Sequence, residues 1–245
     1  MTATLPPMLV LLPGMDGTGT LFQPLLDALG PSTPVQVLDY PSDRALDYPA
    51  LEERVWQQIP RERPFVLLGE SFSGPIAVGI AARRPTGLIG LVLCSSFVRN
   101  PRPALAPLAP LLKFMPLQYL PSWPMDALLL GGFSTPTLRN MLITAVARVA
   151  PAVLRLRLRE VIGVDRCQAL AALEVPLLYL RAREDRLVPP QASALIQLLR
   201  QDVHLIEVDA PHCLLQAEPM KAAAHLQQFM QMLQQTGHDW QSSTG

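Results

Sequence analysis

Disulfides, long apolar runs, repeats and a surplus of charge are all missing from this sequence, and each absence removes a class of function. Cysteine occurs three times in 245 residues, as Cys94, Cys167 and Cys213. That is too few and too scattered for a disulfide framework, and the three read as reduced thiols of a cytoplasmic protein. Lysine plus arginine balance aspartate plus glutamate at 20 each. A net charge of zero gives no reason to expect a nucleic-acid or acidic-polymer partner. No apolar run is long enough to span a bilayer, so no transmembrane segment is expected. The first residues, Met1-Thr2-Ala3-Thr4-Leu5-Pro6-Pro7, lack the basic region of a signal peptide. What is present is apolar material: 49% hydrophobic against 16% charged residues. That composition excludes disorder and suits one α/β domain with an insertion.

Short apolar runs alternate with helical patterns. Met8–Leu12, Val35–Asp39, Phe65–Leu68, Leu88–Cys94, Leu177–Leu180 and His204–Val208 read as strands, most of them apolar on both faces. Thr20–Leu29, Pro49–Ile59, Ile76–Arg84, Pro190–Arg200 and Met220–Gln234 read as helices. Strand–helix alternation predicts a doubly wound, mostly parallel six-stranded sheet with right-handed crossovers. Between Phe97 and about Asp165 the alternation stops. This stretch is rich in Leu, Met and Pro, with helical patterns near Leu138–Val149 and Val153–Val161, and reads as a helical cap. The expected organisation is a core of residues 1–97 and 166–235, a cap of 98–165 and a flexible tail of 236–245. The cap's many arginines, Arg157 among them, read as solvated helix faces. Its run Ala104–Leu117, with Leu128–Leu130 and Met141–Ile143, is too apolar to be all free surface.

The chemistry concentrates at Phe65-Val66-Leu67-Leu68-Gly69-Glu70-Ser71-Phe72-Ser73-Gly74-Pro75. A buried strand, a turn of small residues and a helix make the grammar of a nucleophile elbow, which pushes the Ser71 hydroxyl out above the sheet. Gly69 fits the motif, whereas Ser73 stands where glycine is usual. Pro75 is acceptable in a first helical turn. A serine hydroxyl needs a base and a group that orients the base. Of four histidines, only His212 sits in a loop just past a strand. Asp185, after the Leu177 strand, is the favoured orienting acid; Glu184 competes, and Asp209 is weaker because it lies so near His212 in sequence. Oxyanion donors are expected from the backbone N–H groups of Phe72 and Met15. Met15 lies in the glycine loop Leu12-Pro13-Gly14-Met15-Asp16-Gly17-Thr18-Gly19, where Gly14, Asp16 and Gly17 support it. A phosphate cradle is the rival reading of that loop, but it lacks a Gly-x-Gly-x-x-Gly spacing and no Gly-Lys-[Ser/Thr] follows.

The glycine loop, the Ser71 elbow, Asp185 before Val188-Pro189 and His212, in the order Ser…Asp…His, resemble the α/β-hydrolase superfamily over nearly the whole chain. The glycine loop is also similar to that of small bacterial serine esterases and of the hydrolase-like part of phytyl ester synthases. The resemblance implies an α/β-hydrolase sheet with the serine at its centre, a cap between the sixth and seventh strands of the usual fold, and neither cofactor nor metal. Ser73, and Pro13 where many members carry histidine, depart from the usual pattern. With six strands evident, the usual first antiparallel hairpin is absent. The expected activity is hydrolysis of hydrophobic carboxylic esters through an acyl-enzyme, the partner being a small hydrophobic ester or acyl substrate. Acyl transfer to an alcohol or thiol uses the same intermediate, and a non-catalytic ligand-binding protein is the third reading.

Overall fold

The structure, a computed structural model, describes residues 6–114 and 123–242. Six strands form one sheet: β1 (Met8–Leu12), β2 (Val35–Val37), β3 (Phe65–Glu70), β4 (Leu88–Cys94), β5 (Leu177–Ala182) and β6 (His204–Val208). Their spatial order is β2-β1-β3-β4-β5-β6, and every neighbouring pair is parallel. This all-parallel sheet flanked by helices is the α/β-hydrolase fold. Parallel strands must be joined by crossovers, and the helices that make them cover both faces. That is why β3 is buried at all six positions.

Alternation along the strands divides the core into two layers. Val10, Leu12, Leu67, Leu91 and Tyr179 face one side, under α2 (Tyr48–Gln58), α3 (Gly74–Ala82), α7 (Cys167–Ala171) and α8 (Pro190–Leu199). Leu9, Leu11, Val66, Leu68 and Leu178 face the other, under α1 (Gln23–Leu29), α9 (Leu214–Ala217) and α10 (Pro219–Ser242). Each fully buried Leu or Val side chain contributes roughly 1.5–3 kcal/mol relative to exposure.

Between β4 and β5 the chain leaves the sheet. It forms a 3₁₀ helix at Pro103–Phe114, then α4 (Trp123–Leu129), a 3₁₀ turn at Gly131–Phe133, α5 (Pro136–Ala147) and α6 (Pro151–Gly163). The two ends of this excursion are pinned together. Arg99 and Asp165 form an antiparallel bridge, and the Arg166 N–H donates to the Val98 carbonyl at 2.7 Å. The apolar stretches are only partly hidden: Leu105 and Leu128 are exposed, whereas Leu130 and Leu142 are buried. Met115, Pro116 and Leu117 of the apolar run lie outside the described residues.

Several boundaries differ from the sequence reading. Thr20–Leu29 splits into a 3₁₀ turn at Thr20–Phe22 and α1, because Pro24 falls in the first turn of the α-helix. β2 ends at Val37, two residues early. β3 runs on through Gly69 and Glu70. α10 runs on through the expected tail as far as Ser242, past Gly237.

Candidate active site

The sheet reverses its direction of growth between β1 and β3, since β2 lies on one side of β1 and β3 on the other. Loops leaving carboxyl ends at such a switch point face each other across a crevice. Leu12 at the end of β1 is in register with Gly69 near the end of β3. The glycine loop and the serine turn therefore emerge side by side.

The turn is sharp. Ser71 has φ 48°, a left-handed conformation that a non-glycine residue adopts only when its surroundings impose it. A 3₁₀ turn at Ser71–Ser73 follows, then α3, with Pro75 in its first turn. Gly69 is required by proximity: a Cβ there would sit 2.7 Å from the Ser73 carbonyl oxygen. Ser96 donates from its hydroxyl to the Ser71 carbonyl at 2.6 Å, fixing the strained peptide.

Ser71, His212 and Asp185 come together from the ends of three strands. Asp185, in the loop between β5 and α8, accepts N–H bonds from Leu187 and Val188 through Oδ1, both at 2.8 Å. Its Oδ2 lies 2.8 Å from His212 Nδ1. A carboxylate can only accept there, so Nδ1 carries the proton and Nε2 is left as an acceptor. The Ser71 hydroxyl lies 2.8 Å from that Nε2 and donates to it. The side chains of both His212 and Asp185 are buried. Glu184 engages through its backbone instead, donating N–H to the Ala210 carbonyl, and exposed Asp209 faces Arg183 at 3.7 Å.

Ser73 replaces the second glycine without a clash because its side chain turns away to do other work. It is fully buried, donates to the Pro13 carbonyl and pairs with the Tyr40 hydroxyl at 2.6 Å. This joins the glycine loop to the serine turn. Within the loop, the Gly17 N–H donates to the Gly14 carbonyl at 3.1 Å. Asp16, buried, accepts from the Thr18 N–H at 2.9 Å and from the Thr18 hydroxyl. Phe72 is held from both ends: Tyr48 stacks on its ring at 4.8 Å and donates its hydroxyl to the Phe72 carbonyl at 3.0 Å. Among the described residues, neither the Met15 nor the Phe72 N–H donates to a protein acceptor. Backbone donors with no protein acceptor beside a nucleophile are the kind of group a developing oxyanion requires. No group of three His, Cys, Asp or Glu among the described residues is arranged to hold a metal ion.

The sequence reading missed Glu70, Gln216 and Arg157. Glu70 immediately precedes Ser71, is buried, and accepts from the Gln216 amide at 2.9 Å. Burial pushes its carboxyl up to about 7, against the stabilising Gln216 hydrogen bond. A raised folded-state pKa means that the folded protein holds this proton more tightly than the unfolded chain. The stabilisation is complete below the unfolded value of 4.5 and is lost as pH rises through about 7. Glu70→Gln, which keeps the shape and removes the titration, is expected to raise Tm relative to the parent at pH 8 and to leave little difference at pH 4. Equal Tm differences at both values would show that Glu70 does not titrate in this window. Arg157, read as a solvated arginine, is instead 1% exposed. Its signal was register: it lies four residues after buried Val153 and four before partly buried Val161, on the inward stripe of α6.

An open cleft of about 440 Å³ lies between Ala45–Ala50 and Leu156–Glu160, and Ser71 does not line it. Closer to the site is a small apolar cluster in which Leu130, Leu142 and Cys213 pack with Leu21, Met125 and Leu129. The Cys213 N–H donates to the Leu129 carbonyl at 3.0 Å, which docks the end of α4 beside His212.

A model of the alpha/beta hydrolase family matches residues 9–226. The chain is 28% identical, over 93% of its length, to the biotin biosynthesis bifunctional protein BioHC of Cellvibrio japonicus. It is 34% identical, over 45% of its length, to phytyl ester synthase 1 of Arabidopsis thaliana. The chain spans 48% of the first relative's length and 16% of the second's. Among solved structures, the enol-lactonase from Burkholderia xenovorans superposes with a TM-score of 0.79 at 15% identity, covering 94% of both chains. A thermophilic esterase from Thermogutta terrifontis gives 0.77 at 18% identity, covering 95% of this chain and 92% of its own. At such identities these likenesses concern the fold.

Proposed function

The chain belongs to the alpha/beta hydrolase family, and from its site geometry we propose that it is a serine carboxylesterase acting on hydrophobic esters. The observation that carries this reading is the line Asp185–His212–Ser71, two contacts of 2.8 Å ending on a serine held at φ 48°. Ser71 Oγ attacks the ester carbonyl carbon as its proton passes to His212 Nε2. The carbonyl electrons move onto oxygen, and the N–H groups of Met15 and Phe72 donate hydrogen bonds to the oxyanion so formed. The Asp185 carboxylate stabilises the imidazolium and stays ionised. Collapse of the intermediate breaks the ester C–O bond, and His212 returns the proton to the departing alcohol. Water, deprotonated by the same imidazole, then releases the acid and restores Ser71.

Residues 98–165 serve as the cap in this reading, and the apolar cluster of α4 and α5 beside His212 supports an apolar acyl partner. Burying each acyl methylene contributes roughly 0.8 kcal/mol, near a fourfold gain per carbon, until the pocket is full. The expected result is a rise in kcat/KM from p-nitrophenyl acetate to at least the hexanoate. Progressive rejection of chains longer than acetate would mean that the apolar residues only seal the cap. The buried, unpaired thiols of Cys94 and Cys213 support a reducing, cytoplasmic setting.

Labelling by a fluorophosphonate probe, lost in Ser71→Ala, tests the nucleophile. An unlabelled parent protein would favour a ligand-binding role. The second reading, transfer of the acyl group to an alcohol, is favoured by the named activity of the Arabidopsis relative. Product analysis with an added long-chain alcohol separates the two, since a transferase makes the new ester where a hydrolase makes the acid.

A further inference from the structure

Arg157 is the largest fully buried side chain of the described residues, and no carboxylate among them forms an ion pair with it, the Asp16 charge acting on it only through space. It comes from α6, in the excursion, and reaches the glycine loop at the far side of the elbow. One terminal nitrogen donates to the Met15 carbonyl at 2.7 Å and to the Asp16 carbonyl at 3.0 Å. The other donates to the Pro41 carbonyl at 3.0 Å. The guanidinium carbon stands 5.6 Å from the Tyr40 ring centroid and 6.0 Å from that of Phe72. Room is made by Gly17, whose φ is 71° and where a Cβ would come 2.6 Å from the nearer guanidinium nitrogen. A buried cation whose hydrogen bonds go to three backbone carbonyls of two loops costs desolvation energy, and surface solvation explains nothing about it.

The bonds bracket one peptide group. The unit that carries the Met15 N–H begins at the Gly14 carbonyl, which accepts from Gly17. The preceding carbonyl, Pro13, is held by Ser73, and the following one, Met15, by Arg157. Removing the last of these leaves the Met15 carbonyl unheld, so the peptide that carries the N–H keeps its tie through the Gly14 carbonyl but loses the one that fixes the turn after it, and is held less rigidly. Preorganised donors are worth far more than mobile ones because they need no reorganisation during the reaction.

Resting on the serine-hydrolase reading above, we infer that Arg157 is a positioning residue for the oxyanion, through which helix α6 of the excursion sets the direction of the Met15 N–H. It touches no substrate. Its loss therefore weakens the tetrahedral state and leaves ground-state binding alone.

The test uses Arg157→Lys, which keeps the charge but cannot reach three carbonyls in a planar fork. Gly17→Ala approaches the same contact from the loop. With a p-nitrophenyl ester, Arg157→Lys is expected to lower kcat about 10²–10³-fold with KM within about threefold, the effect of losing one oxyanion donor. Affinity for a trifluoromethyl ketone, whose adduct carries the oxyanion, should fall in parallel. Gly17→Ala should show the same split, and methylguanidinium should restore part of the activity of Arg157→Ala. A merely structural arginine would lower Tm and the active fraction without separating kcat from KM or moving inhibitor affinity per active site. Parent-like kcat and inhibitor affinity in a folded Arg157→Lys would overturn the inference. A parent protein inactive and unlabelled at Ser71 would instead overturn the reading beneath it.

Discussion

Ser71→Ala is expected to lower kcat by on the order of 10⁴ or more while leaving the fold intact. The two halves of that result have separate causes. Alanine and serine are alike in volume, and both carry the Cβ that makes φ 48° costly, so the strain at the turn is unchanged. The bonds that hold this peptide, from Ser96 to the residue 71 carbonyl and from Ser73 to Pro13, do not use the Ser71 hydroxyl. What is lost is the group that becomes the acyl carrier. The residue of activity comes from oxyanion donors and binding alone. Ser73→Ala is the informative companion. It removes the link between Pro13 and Tyr40, which should cost stability and some rate, yet it leaves Ser71 able to be acylated. Burst kinetics with p-nitrophenyl esters should therefore persist in Ser73→Ala and vanish in Ser71→Ala. The opposite pattern would transfer the nucleophile to position 73.

Asp185→Asn is expected to cost about 10⁴ in kcat with little change in the backbone. The amide oxygen can still accept from the Leu187 and Val188 N–H groups, which Asp185 Oδ1 now serves, so the loop keeps its shape. The amide NH₂ would then face His212 Nδ1 as a donor. That forces the ring proton onto Nε2, where it meets the Ser71 hydroxyl and can accept nothing. The serine keeps its proton, and no charged partner stabilises an imidazolium. The measurement is kcat across pH 6 to 9 together with Tm. Asp209→Asn, at an exposed position facing Arg183, should leave kcat near the parent value. A large loss at Asp209 and none at Asp185 would move the orienting acid to the other loop.

Much of this architecture was legible because a parallel sheet writes itself plainly. β1 and β4 were read to the residue, since short runs apolar on both faces admit few alternatives, and so was β6, an edge strand with exposed His204 and Glu207. The site was legible where chemistry forces spacing: small residues around a sharp turn, and a histidine and an acid just beyond strand ends. Arg157 was not legible, because one arginine among several in Arg155-Leu156-Arg157-Leu158-Arg159 looks solvated until α6 has a phase against the core. Glu70 was hidden for a related reason. A carboxylate before a serine reads as turn polarity, and its burial depends on Gly14 and Gln216, which only the assembled fold brings to it. Ser73 looked like a defect in a motif; its buried hydroxyl is the tie between two loops.

The register that sets Leu12 beside Gly69 belongs to a sheet in which every ladder joins segments separated by a crossover. Such non-local pairing places the protein among slow folders, since each ladder closes a long loop before its contacts reward the closure. The serine turn follows the central strand β3, whereas Asp185 and His212 stand beyond β5 and β6, toward the sheet's far edge. After dilution from denaturant, return of ester turnover should therefore lag the return of helical circular dichroism. It clocks the arrival of the last strand rather than the making of the serine turn.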